Sequence, residues 1–116
     1  AEYRPRDIPL VGIALAAMKL RPAGIERYYD KNTGLSTVVN KFLDENKLLE
    51  SEKHTLYSFR HSFQDRLTEV EAPDRIQADL MGHKFTRERY GKGPDLAQKQ
   101  RWLQRIAYKA PAGFKV

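Results

Sequence analysis

Cysteine is absent from this chain of 116 residues, which removes disulfides, thiolate metal sites and a cysteine nucleophile. Long apolar runs are absent too. No stretch approaches the roughly 20 residues of a membrane-spanning helix, and charge begins at Glu2, so neither a spanning segment nor a signal peptide is expected. No repeat or low-complexity tract occurs. What is abundant is charge: 21 Lys and Arg against 15 Asp and Glu leave a net +6. Such a surplus suits a polyanionic partner, because neutralising phosphates releases condensed counterions, although many basic domains touch no nucleic acid. At 41% hydrophobic residues the chain is expected to fold as a single domain with a small core.

The spacing of apolar residues predicts a mainly α protein with a short N-terminal strand. Asp7-Ile8-Pro9-Leu10 reads as an extended strand end, since Pro9 lacks a ladder donor and biases Ile8 toward the β region. Ile13, Leu15, Ala16 and Leu20 share one side of a helix that must stop before Pro22. Residues 23–33 read as a loop, followed by a helix over Thr37 to Leu48 with Ser36 as N-cap and Val38, Val39, Phe42 and Leu43 inward. In the third helix Leu56, Phe59, Phe63, Leu67 and Val70 form a core stripe with Thr55 as cap, and the opposite side carries Tyr57, Arg60, His61 and Gln64, of which Tyr57, Arg60 and Gln64 are expected to face a shared cleft. A fourth helix starts near Pro73, packs Ile76 and Leu80, and ends at a left-handed Gly82, so that His83 lies just past a helix end. After a polar, basic loop Asp95 caps a last helix to about Tyr108, with Leu96, Leu103 and Ile106 inward.

Three separated elements carry a functional signal: Leu56-Tyr57-Ser58-Phe59-Arg60-His61-Ser62-Phe63, then Leu80-Met81-Gly82-His83, then Arg89-Tyr90-Gly91. In this order they resemble the second half of the active site of the tyrosine recombinases, the phage-integrase family. The resemblance runs from the Ile8-Pro9-Leu10 strand end to Trp102-Leu103-Gln104-Arg105-Ile106, which is similar to the closing helix of phage integrases. It implies the C-terminal portion of a catalytic domain, a partial DNA breaking-rejoining fold. The family's first active-site arginine and its hairpin lysine lie upstream of a segment such as Arg6-Asp7-Ile8-Pro9-Leu10, so residues 1–116 alone are expected to be inactive.

The chemistry implied is site-specific DNA recombination and integration by transesterification through a 3′-phosphotyrosine, with no metal and no cofactor. Such a reaction needs a nucleophile, cations to hold the charge growing on the non-bridging oxygens, and an acid for the leaving 5′-oxygen. The resemblance assigns Tyr90 as nucleophile and Arg60 as the bidentate phosphate ligand, a role that suits a planar, permanently charged guanidinium. It makes His83 a donor to the same phosphate and His61 a supporting residue. Three positions before the arginine the family usually carries histidine; Tyr57 stands there, and a phenol donates a hydrogen bond but is a poor proton acceptor. Lys84, Arg87, Arg89 and Lys92 would hold flanking phosphates. The implied partners are double-stranded attachment-site DNA and three further subunits of the full-length protein, in a bacterial cytoplasm or phage-host nucleoid, with no membrane.

Taken singly, each residue has a plainer role. Tyr90 alone reads as a half-buried surface residue, Arg60 as a solvated charge, and His83 as a helix-terminal residue meeting the dipole. Gly91-Lys92-Gly93 lacks the strand and spacing of a phosphate loop, and His54, His61 and His83 lack the paired spacing of zinc ligands. Two alternatives to recombination stay open: type IB topoisomerase-like strand passage, and a nonenzymatic helical module that only binds DNA.

Overall fold

The computed structural model of the chain describes residues 5–84 and 93–116. Among these residues there are five α-helices and no strand: α1 over Gly12–Leu20, α2 over Asn32–Glu45, α3 over Ser58–Glu69, α4 over Asp74–Met81 and α5 over Leu96–Gln104. A 3-10 turn at Glu26–Tyr28 links α1 to α2. The mainly α expectation holds and the N-terminal strand does not. Asp7-Ile8-Pro9-Leu10 has no neighbouring strand among the described residues to satisfy a ladder; instead its backbone is held by side chains, with Lys99 Nζ donating to the Asp7 carbonyl at 3.4 Å.

The core lies between α3, α4 and α5. Leu67, Ala72, Ile76, Leu80, Leu103 and Ile106 form it, with Val11, Phe63, Val70 and Trp102 packed around the edge. Leu67 and Leu80 are fully enclosed, each worth roughly 1.5–3 kcal/mol of apolar burial. Around this centre the elements are closed by specific devices. Asp95 and Gln98 form a reciprocal capping box at the start of α5, each accepting the other's backbone N–H at 2.8 Å. At the end of α4, Gly82 takes the left-handed conformation with φ 70°, and the His83 N–H returns to the Ala78 carbonyl at 2.9 Å. The first turn of α1 is tied to the segment after α5, since the Ile13 N–H donates to the Tyr108 carbonyl at 2.7 Å. Gly12, with φ 55°, is needed there because any side chain would strike that carbonyl.

Several sequence expectations are corrected. Phe59 is 62% exposed rather than buried, and Phe63, also expected buried, is half-buried at the edge of the core. Helix α2 begins at Asn32, five residues ahead of Thr37, which puts Ser36 inside it. Its inward side is Leu35, Val39 and Leu43, one residue every four, while Val38 and Phe42 are about half exposed at 50% and 56%. Thr55 does not cap α3 with its hydroxyl; its own N–H donates to Ser58 Oγ at 2.9 Å, and the N–H of Leu56 is taken by Asn40 of α2 at 2.7 Å. Pro73 is the N-cap of α4 rather than a residue of its first turn. Leu96, expected inward, is 52% exposed, and α5 stops at Gln104 rather than near Tyr108.

Candidate active site

The last turn of a helix leaves carbonyls without intrahelical donors, and it carries a partial negative charge that attracts cations. At the end of α4 two arginines answer this from distant parts of the chain. Arg60, on α3, donates from Nη2 to the Met81 carbonyl at 2.7 Å. The same nitrogen lies 3.1 Å from His83 Nε2. Arginine has no acceptor, so His83 must accept through Nε2 with its ring proton on Nδ1. Arg6 donates from Nε to the neighbouring Leu80 carbonyl at 3.1 Å.

Arg60 and His83, 23 residues apart in sequence, are thus brought into contact by the packing of α3 on α4. Arg60 is half-buried and His83 exposed. Its position on α3 follows from the helical repeat, since Phe63, Leu67 and Val70 turn toward the core and Arg60 projects from a neighbouring arc toward the α4 terminus. Tyr57, one turn earlier, is 65% exposed, and its ring meets that of His61 edge-on at 5.7 Å. Gln64 is half-buried. Lys84 is exposed directly after His83. Tyr90, Arg87, Arg89 and Lys92 lie outside the described residues.

Two hollows beside α3 lie away from this contact. One of about 300 Å³ is walled by Leu10, Val11, Ile13, Phe59, Phe63 and Ile106 among others, and a second of about 230 Å³ by Leu43, Leu49, His54 and Phe59 among others. Neither is lined by Arg60 or His83. Among the described residues no group of three or more His, Asp or Glu side chains is placed to hold a metal ion, and no helix is long and apolar enough to cross a membrane.

Sequence reasoning missed Arg6 and Lys99. Lys99 is buried at 9% exposure, a rare state for lysine, and its ammonium meets the backbone at Asp7. Its place on the core side of α5, four residues before the buried Leu103, was a signal available in the sequence. Arg6 gave none, because its partner is 74 residues away.

What the arrangement offers chemically is a guanidinium fixed at one nitrogen and a histidine beside it. Both edges of a guanidinium that pair bidentately with an oxyanion include Nη2. An oxyanion paired bidentately with Arg60 would therefore have to replace one of the two contacts of that nitrogen, of which the one to His83 is the longer.

Comparison with known protein families, with curated proteins and with solved structures finds no match to this chain.

Proposed function

We propose that this chain carries the C-terminal part of a tyrosine recombinase catalytic domain, built on the DNA breaking-rejoining fold, and that it acts on double-stranded DNA. The observation that supports this most is the contact of Arg60 with His83 at 3.1 Å, which joins two of the three sequence elements at one helix end. In this reading Arg60 grips two non-bridging oxygens of the scissile phosphate and His83 donates to the same group. The Tyr90 phenol attacks phosphorus, forming the Tyr90 O–P bond while the bond to the 5′-oxygen breaks. The phenolic proton departs to a base and the leaving oxygen takes one from an acid, the role the resemblance gives to an upstream lysine. The phosphotyrosine conserves the bond, so rejoining needs no nucleotide cofactor and no metal. Tyr57 serves as a hydrogen-bond donor at the pocket edge and His61, against its ring, as support. Lys84, Arg87, Arg89 and Lys92 hold neighbouring phosphates, and four full-length subunits assemble on attachment-site DNA in the cytoplasm or nucleoid of the host.

A duplex titration tests the binding half of this proposal. Residues 1–116 should bind duplex DNA with an affinity that falls steeply with salt, and Arg60→Ala should weaken it. Binding that is absent at low salt, or that ignores salt, would remove DNA as the partner.

A further inference from the structure

The end of α4 is held from two directions. Arg60 takes the Met81 carbonyl at 2.7 Å and Arg6 takes the adjacent Leu80 carbonyl at 3.1 Å. The Arg6 guanidinium also fills the space over Gly82: a Cβ at that position would lie 2.5 Å from Nη1, 2.7 Å from Cζ and 3.1 Å from Nη2. Three atoms of the planar group at such distances mean that it covers the glycine Cα broadly. Gly82 is the left-handed residue that sets the direction in which the chain leaves the helix, and His83 is the next residue.

We infer that Arg6 is a positioning residue for the Arg60–His83 pair: by covering Gly82 and capping Leu80, it fixes the turn that presents the Met81 carbonyl and the His83 ring to one nitrogen of Arg60. The pair is sensitive to that turn because Arg60 Nη2 serves both acceptors, and the 3.1 Å contact to His83 has little slack before it ceases to be a hydrogen bond. The segment that carries Arg6 also approaches α5, where the Lys99 ammonium lies 3.4 Å from the Asp7 carbonyl. Two cations share one helix end here because the terminal carbonyls offset their repulsion. The effect of this clamp on DNA binding rests on the function proposed above; its effect on His83 does not.

The test is made first without DNA. The ring nitrogens of His83, assigned by comparison with His83→Asn, report which nitrogen carries the proton in the free protein. In the parent sequence the proton should sit on Nδ1. Arg60→Ala should shift it toward Nε2, as the control. Arg6→Ala should do the same, and Arg6→Lys should fail to restore the original state, since an ammonium keeps the charge but cannot cover Gly82. The melting temperature of each variant, read alongside, separates this from general loosening: a tautomer that moves in Arg6→Ala with no more loss of stability than the single hydrogen bond to Leu80 accounts for supports positioning. A His83 ring unchanged in Arg6→Ala, or fully restored by lysine, would overturn the inference. The second arm measures duplex affinity. The Arg6→Ala, Arg60→Ala double variant should lose less than the product of the single losses, by about five-fold, because both act through one turn. If the tautomer moves and neither single variant changes duplex affinity, positioning stands and the DNA reading fails; if Arg60→Ala weakens binding while the Arg6→Ala ring is unchanged, the reverse holds.

Discussion

Replacing Gly82 with alanine probes the site through its backbone. Two costs add. At φ 70° a Cβ meets the following carbonyl region, a penalty of about 1–2 kcal/mol for a residue with a side chain. The new methyl would also lie 2.5 Å from Arg6 Nη1, so the guanidinium has to leave and its hydrogen bond to the Leu80 carbonyl is lost. That bond is at the edge of the molecule, worth about 1 kcal/mol. The expected total is about 2–3 kcal/mol, or a fall in Tm of roughly 8–12 °C for a domain of this size. Gly24 provides the comparison: it has a similar φ of 76° but its Cβ would meet only Tyr29 at 3.9 Å, an ordinary contact. Gly24→Ala should therefore show the backbone cost alone. Thermal unfolding followed by circular dichroism measures all of these, and the decisive comparison is Gly82→Ala made in an Arg6→Ala background, where its cost should drop by about 1 kcal/mol. An undiminished cost there would refute the account of how Arg6 meets the helix end.

Three further outcomes are expected, two from the packing and one from the proposed function. Leu67→Ala should cost about 3–4 kcal/mol in chemical denaturation because the side chain is wholly enclosed, whereas Phe59→Ala, at a residue 62% exposed, should cost under about 1 kcal/mol; equal costs would misplace the core. Asp95→Ala removes one side of the capping box and should lower stability by about 1 kcal/mol, with Asp95→Asn largely restoring it. In duplex titrations against salt, neutralising Lys84, Arg87 or Arg89 should each reduce the slope of log affinity on log salt by about 1; an unchanged slope for all three would take this basic stretch of sequence away from the phosphates.

How much of this was legible in the sequence depended on how local the determinant was. The end of α4 was readable because glycine at a helix terminus followed by a polar residue is a local device, and Gly82 and His83 are where it puts them. The Asp95 cap was equally local. The start of α2 was misread because Asn32, Thr33 and Gly34 have turn-like composition, yet the ladder already runs through them from the Lys31 carbonyl to the Leu35 N–H at 3.0 Å. Phe59 was misjudged for a different reason. Periodicity identifies which side of a helix is apolar, but how far along that side its neighbours reach is decided by tertiary packing. At the site, the resemblance implied one phosphate shared by Arg60 and His83 but not the contact between the two side chains, and the clamp made by Arg6 depends on chain segments 74 residues apart and has no local sign.

The central proposal, that Tyr90 is a nucleophile served by Arg60 and His83, is tested most directly by trapping. A duplex nicked next to the scissile phosphate releases its short 5′-hydroxyl strand on cleavage, so a covalent protein–DNA adduct accumulates. A longer protein that joins this chain to the arginine and lysine the resemblance implies should form this adduct; Tyr90→Phe should abolish it, and Arg60→Ala should slow it by a factor of about 100 to 1000, as expected for loss of a charge-stabilising donor. Residues 1–116 alone should form none. An adduct that survives Tyr90→Phe, or one made efficiently by residues 1–116, would contradict the account.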